Sequence, residues 1–339
     1  MKRESAQVGS IIKERKPSLA IFDASHGQPN WSQTGFTSRE MHTNYAGLME
    51  LLCRMGCRCA PVSQPLSQAR LTDARLLVIP PPTGAYNAAK ECWSPLAESS
   101  FASEHIRDIL NFVRSGGRLL AFAYRFGDWF TRSNLRELVS PLGCLLNDDA
   151  VIDLQTLRTM NPLEAFFDTP RNLLPLHWSN LHVSSVRWRT TATFNILPGA
   201  EAQPLALSAG GTCISFNRSA RRISFASLPI AVAGLHGGGR FVLIGGPHAF
   251  ETGRFGLLTR PDNARFMMNV LAWLLDNGSP DLRPEPVVHH SSGTFFFERG
   301  LAASSAENSD HAQHTVAYVE RLLRRTGVLK ALGRPKWMP

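Results

Sequence analysis

The sequence predicts an α/β layer fold built on a parallel sheet, and three observations lead there. Short apolar runs alternate with stretches of helical period, glycine and proline bound those runs, and polar residues collect just after them rather than within them. The clearest instance is Phe241 to Ile244, entered from Gly237-Gly238-Gly239 and left through Gly245-Gly246, which reads as a strand buried on both faces. Pro261 and Asp262 then announce a helix, with Asp262 as the expected cap and Phe266, Met267, Val270, Leu271 and Leu274 on one face. Gly278 ends it. Between strand and helix lie His248, Glu251, Arg254 and Arg260, at the carboxyl end of the strand, where open α/β sheets hold their ligands.

Taken in order, Ser18 to Phe22 is the first buried strand and runs into the polar loop Asp23-Ala24-Ser25-His26-Gly27. Thr43 or Asn44 is placed to cap a helix whose face is Leu48, Leu51, Leu52 and Met55, stopped by Gly56. Arg58 to Val62 and Leu76 to Ile79 are the next strands, the second ended by Pro80-Pro81-Pro82, which cannot continue a ladder. Ser103 opens a helix carrying Ile106, Ile109, Leu110 and Val113, and Leu119 to Phe122 follows as the most central strand. Strand and helix alternating at this spacing imply parallel pairing through right-handed crossovers. Leu135 to Val139 suggests a short helix and Leu142 to Leu146 a short strand. From residue 151 to 238 helical periods are few and β-like pieces several, among them His182 to Trp188, Cys213 to Phe216 and Ile223 to Phe225, so this interval is expected as a β-rich insertion.

The chain of 339 residues carries a formal charge of +9, and its location matters more than its size. Residues 1 to 16 hold five cations against two acids and residues 315 to 339 six against one, leaving the body between them nearly neutral. A nucleic-acid groove spreads its cations over a folded surface; basic ends suit arms that meet an acidic protein partner, or solvated tails. Nucleic acid is therefore the less favoured partner. No run of about 18 apolar residues is present and the start lacks a signal peptide's apolar segment, so no membrane span and a cytoplasmic location are expected. The domain plan is a basic N-terminal arm (1–17), an α/β domain (18–276) with the insertion at 151–238, a linker (277–314) whose Thr294 to Phe297 anchors on the body, and a basic amphipathic tail (315–339). On that tail Val316, Val319, Leu322 and Leu323 share a helical face, with Arg321, Arg324 and Arg325 set against it, a surface suited to a protein subunit.

The segments AIFDASHG, GGRLLAF, GCLLNDDAVI, TCISFNRSARRISFAS and GGRFVLIGGPHAFETG followed by NARFMMNVLAWLL resemble, in this order, the GIFT group of domains. That group includes the N-terminal domain of intraflagellar transport protein fifty-two and gliding-motility auxiliary proteins, and the resemblance spans roughly residues 18 to 276. It implies a class I glutamine amidotransferase-like, flavodoxin-like sheet that serves assembly or ligand binding rather than catalysis. An active amidotransferase of that class carries a cysteine on a tight elbow after its central strand, where the following helix lowers the thiol pKa. Here the corresponding stretch is Ala121-Phe122-Ala123-Tyr124-Arg125-Phe126-Gly127, without a nucleophile.

Asp23, Ser25, His26, Asp128, His248 and Glu251 are the candidate site residues, all expected over the carboxyl edge of one sheet. They include the residue types of a Ser/His/acid hydrolase, which requires a base within hydrogen-bond reach of the nucleophile and a third group orienting it. Turns and helix caps use the same residue types, and Ser25 lacks a glycine-flanked elbow, so a ligand-contact or structural role is the main reading and hydrolysis the alternative. Cys53, Cys57 and Cys59 read as core thiols rather than a metal site, and Trp178 and Trp188 as cover for the sheet. The triple glycine precedes a strand, whereas a dinucleotide cradle lies between strand and helix, so no cofactor is expected.

Overall fold

The computed structural model describes residues 17–26, 45–82, 85–87, 92–94, 100–153, 166–168, 178–189, 191–208, 213–217, 222–224, 226–252, 256–275 and 294–296. The proposed caps Thr43 and Asn44, both basic ends and most of the linker lie outside them. Among the described residues the elements begin with β1 (Ser18–Asp23), α1 (Ala46–Arg54), β2 (Cys57–Val62), α2 (Gln68–Leu71) and β3 (Ala74–Ile79). An antiparallel pair, β4 (Ala85–Asn87) and β5 (Cys92–Ser94), precedes α3 (Ser103–Arg114) and β6 (Arg118–Phe122). Then come α4 (Gly127–Thr131), α5 (Leu135–Val139), β7 (Cys144–Leu146), β8 (Asp149–Asp153), β9 (Phe166–Asp168), β10 (Arg187–Arg189), β11 (Phe194–Ile196) and β12 (Ala202–Leu207). The last of the described elements are β13 (Cys213–Asn217), β14 (Arg222–Ser224), β15 (Pro229–His236), β16 (Gly239–Ile244), α6 (Pro261–Leu275) and β17 (Thr294–Phe296). Among the described residues no helix is long and apolar enough to cross a membrane.

Among the described residues the main sheet has seven strands in the order β12-β15-β16-β6-β3-β1-β2. From β16 to β2 every pairing is parallel, and β15 and β12 add on antiparallel. Residues alternate between the faces with a period of two, as strands require. Ala20, Phe22, Leu76, Val78, Leu120, Phe122, Val242 and Ile244 face α1 and α6, whereas Ile21, Leu77, Ile79, Leu119, Ala121 and Leu243 face α3 and α5. All five residues of β6 are buried, which fits its place at the centre of the sheet.

The interval 151–238 is not a separate insertion: it supplies β12 and β15 to the main sheet. The cause is the pair of glycines between His236 and Gly239. Gly237 takes φ +59 and folds β15 back on β16 as a tight hairpin, so two apolar runs separated by two glycines become neighbours. The rest of the interval is local. β8, β13 and β14 form a four-stranded sheet with β17, so Thr294–Phe296 docks as a strand. Within His182 to Trp188, expected as a strand, only Arg187 and Trp188 are extended, in β10. Trp188 is fully buried against Phe250 and Phe266, and Trp178 stacks on Trp273. Asp262 does not cap its own helix. Its carboxylate accepts from Ser184 N at 3.1 Å, Ser185 N at 3.0 Å and the Ser184 hydroxyl, tying the preceding loop to α6.

Candidate functional site

Three of the six candidate residues gather at the end of β1. Asp23 is the last residue of that strand and fully buried. Its Oδ1 accepts from Ser25 N at 3.0 Å and from the Ser25 hydroxyl at 2.7 Å, while Oδ2 lies 2.7 Å from His26 Nδ1. Ser25 Oγ also lies 3.0 Å from that same Nδ1. The opposite ring nitrogen, Nε2, is 3.3 Å from Nδ1 of His105 in the first turn of α3, and the His26 ring lies 4.1 Å from that of Phe101. A hydrolytic relay needs the acid on one imidazole nitrogen and the nucleophile on the other. Here Asp23 and Ser25 share one nitrogen and His105 occupies the other, so the three residues form a braced turn.

His248 and Glu251 lie on the loop after β16, on the α1 side of the sheet. His248 Nδ1 is 2.7 Å from Glu251 Oε2, with the His 6% and the Glu 0% exposed. Tyr124, just beyond β6, brings its hydroxyl to 3.5 Å from His248 Nε2 with the rings edge to face. Tyr45, at the N-terminus of α1, is fully buried against Phe122. Its hydroxyl and Glu251 Oε1 are both buried, and among the described residues neither makes a well-formed hydrogen bond, although the two groups interact with each other. Burial, and then the neighbouring Glu251 carboxylate, hold the Tyr45 phenol well above its usual pKa. Gly47 N donates to Thr252 Oγ1 at 3.2 Å, clamping the start of α1 onto the same loop.

Asp128 belongs to neither group. Its Oδ1 accepts from Leu135 N at 3.0 Å and Ser133 Oγ at 2.8 Å, and its Oδ2 from Arg136 N at 2.8 Å, so it caps α5. Burial raises its pKa against these hydrogen bonds, which pull the other way. The six residues are thus divided among a turn at β1, a pair after β16 and a helix cap. Tyr45, Tyr124 and His105 are not among the residues that the sequence singles out. Tyr124 sits in the elbow, where only a nucleophile is diagnostic; Tyr45 precedes the apolar face of α1, and His105 stands beside an apolar stripe that accounts for the helix without it.

The turn after β6 is strained. Phe126 adopts φ 62° and ψ 16°, costly for a bulky residue, and Gly127 follows at φ +48. Phe126 N donates to Asp149 O at 2.6 Å, which holds the turn. None of Tyr124 to Gly127 is a serine, threonine or cysteine. Cys144 lies elsewhere, on β7, its thiol pushed up to about 12 by burial.

No family model matches the chain, and no curated protein matches it in sequence. Among solved structures, the mmIFT52 N-terminal domain superposes with a TM-score of 0.58 at 19% identity, over 78% of this chain and 100% of that one. The fold is shared. A cytoplasmic protein from Salmonella typhimurium LT2 gives a TM-score of 0.47 at 14% identity, covering 76% of this chain and 99% of its own. A ThuA-like protein from Bacteroides uniformis gives 0.41 at 10%, covering 77% and 92%.

Proposed function

We propose that this chain is a GIFT-like, non-catalytic subunit of a larger protein assembly, similar in role to an intraflagellar-transport protein. The observation that carries the reading is the elbow after β6: the strained turn is retained, yet Tyr124, Arg125 and Phe126 stand where a nucleophile would be. The shared fold of the mmIFT52 N-terminal domain supports it. The partner is another protein subunit with an acidic surface, met by Val316, Val319, Leu322 and Leu323 together with Arg321, Arg324 and Arg325 of the basic tail. Co-purification from the native host tests this. Removing residues 315–339 is expected to abolish partner recovery with little change in the melting temperature of the body, and replacing the three arginines by alanine to weaken recovery and its salt dependence. Recovery unchanged by both alterations moves the interface elsewhere.

One observation favours a second reading, a small-ligand site on the carboxyl edge. Tyr45 Oη and Glu251 Oε1 are buried with unused hydrogen-bonding capacity, and His248 stands beside them. Asp23, Ser25, His26 and Asp128 spend theirs on structure, so the ligand contacts of this reading concentrate on His248 and Glu251. A glutamine analogue that alkylates activated cysteines separates either reading from amidotransferase chemistry: no thiol is expected to react faster than free cysteine at neutral pH, and labelling of one cysteine well above that rate would overturn both.

A further inference from the structure

The corner where α1 gives way to β2 holds three thiols expected in the core, and the structure separates them. Cys53, on the last turn of α1, is exposed; Cys57, at the start of β2, is buried; Cys59, two residues on, is half-buried. Gly56 turns the chain with φ +84, and β2 runs back alongside the helix. This brings the sulfurs of Cys53 and Cys59 to 4.0 Å, with the Cys59 thiol also 3.8 Å from the Met49 carbonyl oxygen.

We propose that Cys53 and Cys59 form a peroxide-reactive dithiol that closes to an intramolecular disulfide. A disulfide needs its sulfurs about 2.05 Å apart, so closure asks for an approach of about 2 Å, within the reach of side-chain rotation combined with a small shift at the helix end. Cys53 is the sulfur that solvent reaches. Its thiolate attacks one oxygen of hydrogen peroxide, the O–O bond breaks, and the products are Cys53 sulfenic acid and, after proton uptake, water. The Cys59 sulfur, giving up its proton, then attacks the sulfenic sulfur. The S–S bond forms as the S–O bond breaks, and the departing hydroxide takes that proton. Two thiols and one peroxide become one disulfide and two waters.

The order of events follows from the surroundings. Burial, and then the charge of Cys53, push the Cys59 thiol up to about 12, so Cys59 is a poor first nucleophile. Conversion of the Cys53 thiolate to an uncharged sulfenic acid removes the second of those causes before Cys59 is required. Cys57 is held back by burial, which raises its pKa as well. The bridge would fasten the C-terminal end of α1 to β2, which among the described residues pairs with β1 alone in the main sheet. The other end of α1 is already clamped to the His248–Glu251 loop through Gly47 and Thr252.

Peptide mapping tests the link directly, because trypsin cleaves after Arg54 and Arg58 and puts the three cysteines on three different peptides. The reduced full chain is treated with hydrogen peroxide, its remaining thiols are blocked, and it is digested without reductant. The expected product is a monomer lighter by two hydrogen atoms, with the Cys53 and Cys59 peptides joined and released by dithiothreitol. Cys57→Ser should retain the link, and Cys53→Ser should slow loss of the Cys59 thiol by at least about tenfold. A Cys53–Cys57 link, a disulfide-joined dimer, or stepwise oxidation of Cys53 to sulfinic acid without a link would each overturn the proposal. The wild-type peptide map distinguishes these outcomes even if a variant fails to fold.

Discussion

The His26–Asp23 and His248–Glu251 pairs have the same contact length, 2.7 Å, the same spacing of three residues, and nearly complete burial. Their surroundings differ. Both Asp23 oxygens are engaged, His26 is held at both ring nitrogens, and the group closes on itself through Ser25 and His105. Glu251 uses one oxygen on His248 and leaves the other beside the Tyr45 phenol, which it meets without a well-formed hydrogen bond. Buried polar atoms without partners are uncommon in folded proteins and cost roughly 1–3 kcal/mol each, so the second pair carries a cost that the first does not. Matching pair geometry thus conceals two roles: one group stabilises a turn, and the other keeps hydrogen-bonding capacity in reserve.

Substitutions can break or sharpen this contrast. Asp23→Ala should be the most damaging, since it strips the Ser25 amide, the Ser25 hydroxyl and His26 of their acceptor at once; a loss of about 3–5 kcal/mol by chemical denaturation is expected. Glu251→Ala should cost less by at least about 1 kcal/mol, because it removes an unpaired oxygen together with a paired one. Equal losses would show that the two pairs are equivalent after all. Asp128→Asn serves as a reference outside both groups: the amide keeps one acceptor but turns a donor toward the Arg136 N–H, for a loss of about 1–3 kcal/mol. Its pH dependence has a definite sign. Burial raises the Asp128 pKa in the folded state, so its contribution to stability is fully present below the unfolded carboxylate value and is lost as pH rises through the folded one. Asp128→Asn should remove that component from the acid limb of a stability-versus-pH curve. Tyr45→Phe should have the smallest effect, within about 0.5 kcal/mol of wild type, since the ring packing is kept and only a poorly formed contact with Glu251 is lost. A loss well above about 1 kcal/mol would mean that the hydroxyl has a partner in solution.

The strands and helices of the main layer were legible because burial on both faces leaves unbroken apolar runs, as in Leu119 to Phe122, and because one-sided helices repeat at three to four residues, as in α3. The hairpin of β15 and β16 was not, although its signal is present: two glycines between apolar runs also mark the edge of an insertion, and pairing alone distinguishes the two. Asp262 misled for another reason, since a carboxylate in a first helical turn can serve its own helix or a neighbouring loop, and only the fold places Ser184 and Ser185 beside it. Site residues were harder still. Asp23, Ser25 and His26 are adjacent in sequence, so their grouping was visible, but which imidazole nitrogen each would meet was not. Tyr45 and Glu251 are brought near each other by α1 docking beside the loop after β16, and no spacing in the chain records that.

The glycines at the far edge of the sheet bear on how α3 can move. A side chain at Gly239 would come within 1.9 Å of the Val113 carbonyl oxygen, Gly237 is seated against Arg114, and Gly238 N donates to Arg114 O at 2.9 Å. Backbone therefore rests directly on backbone where α3 ends, with no side chain between to yield. The opening of α3 is held in another way, by a side chain: Asn134 accepts from Phe101 N at 2.7 Å and donates to Phe101 O at 2.9 Å, just ahead of the turn where His105 meets His26. One end of the helix is thus set by bare backbone contact and the other by a single amide side chain.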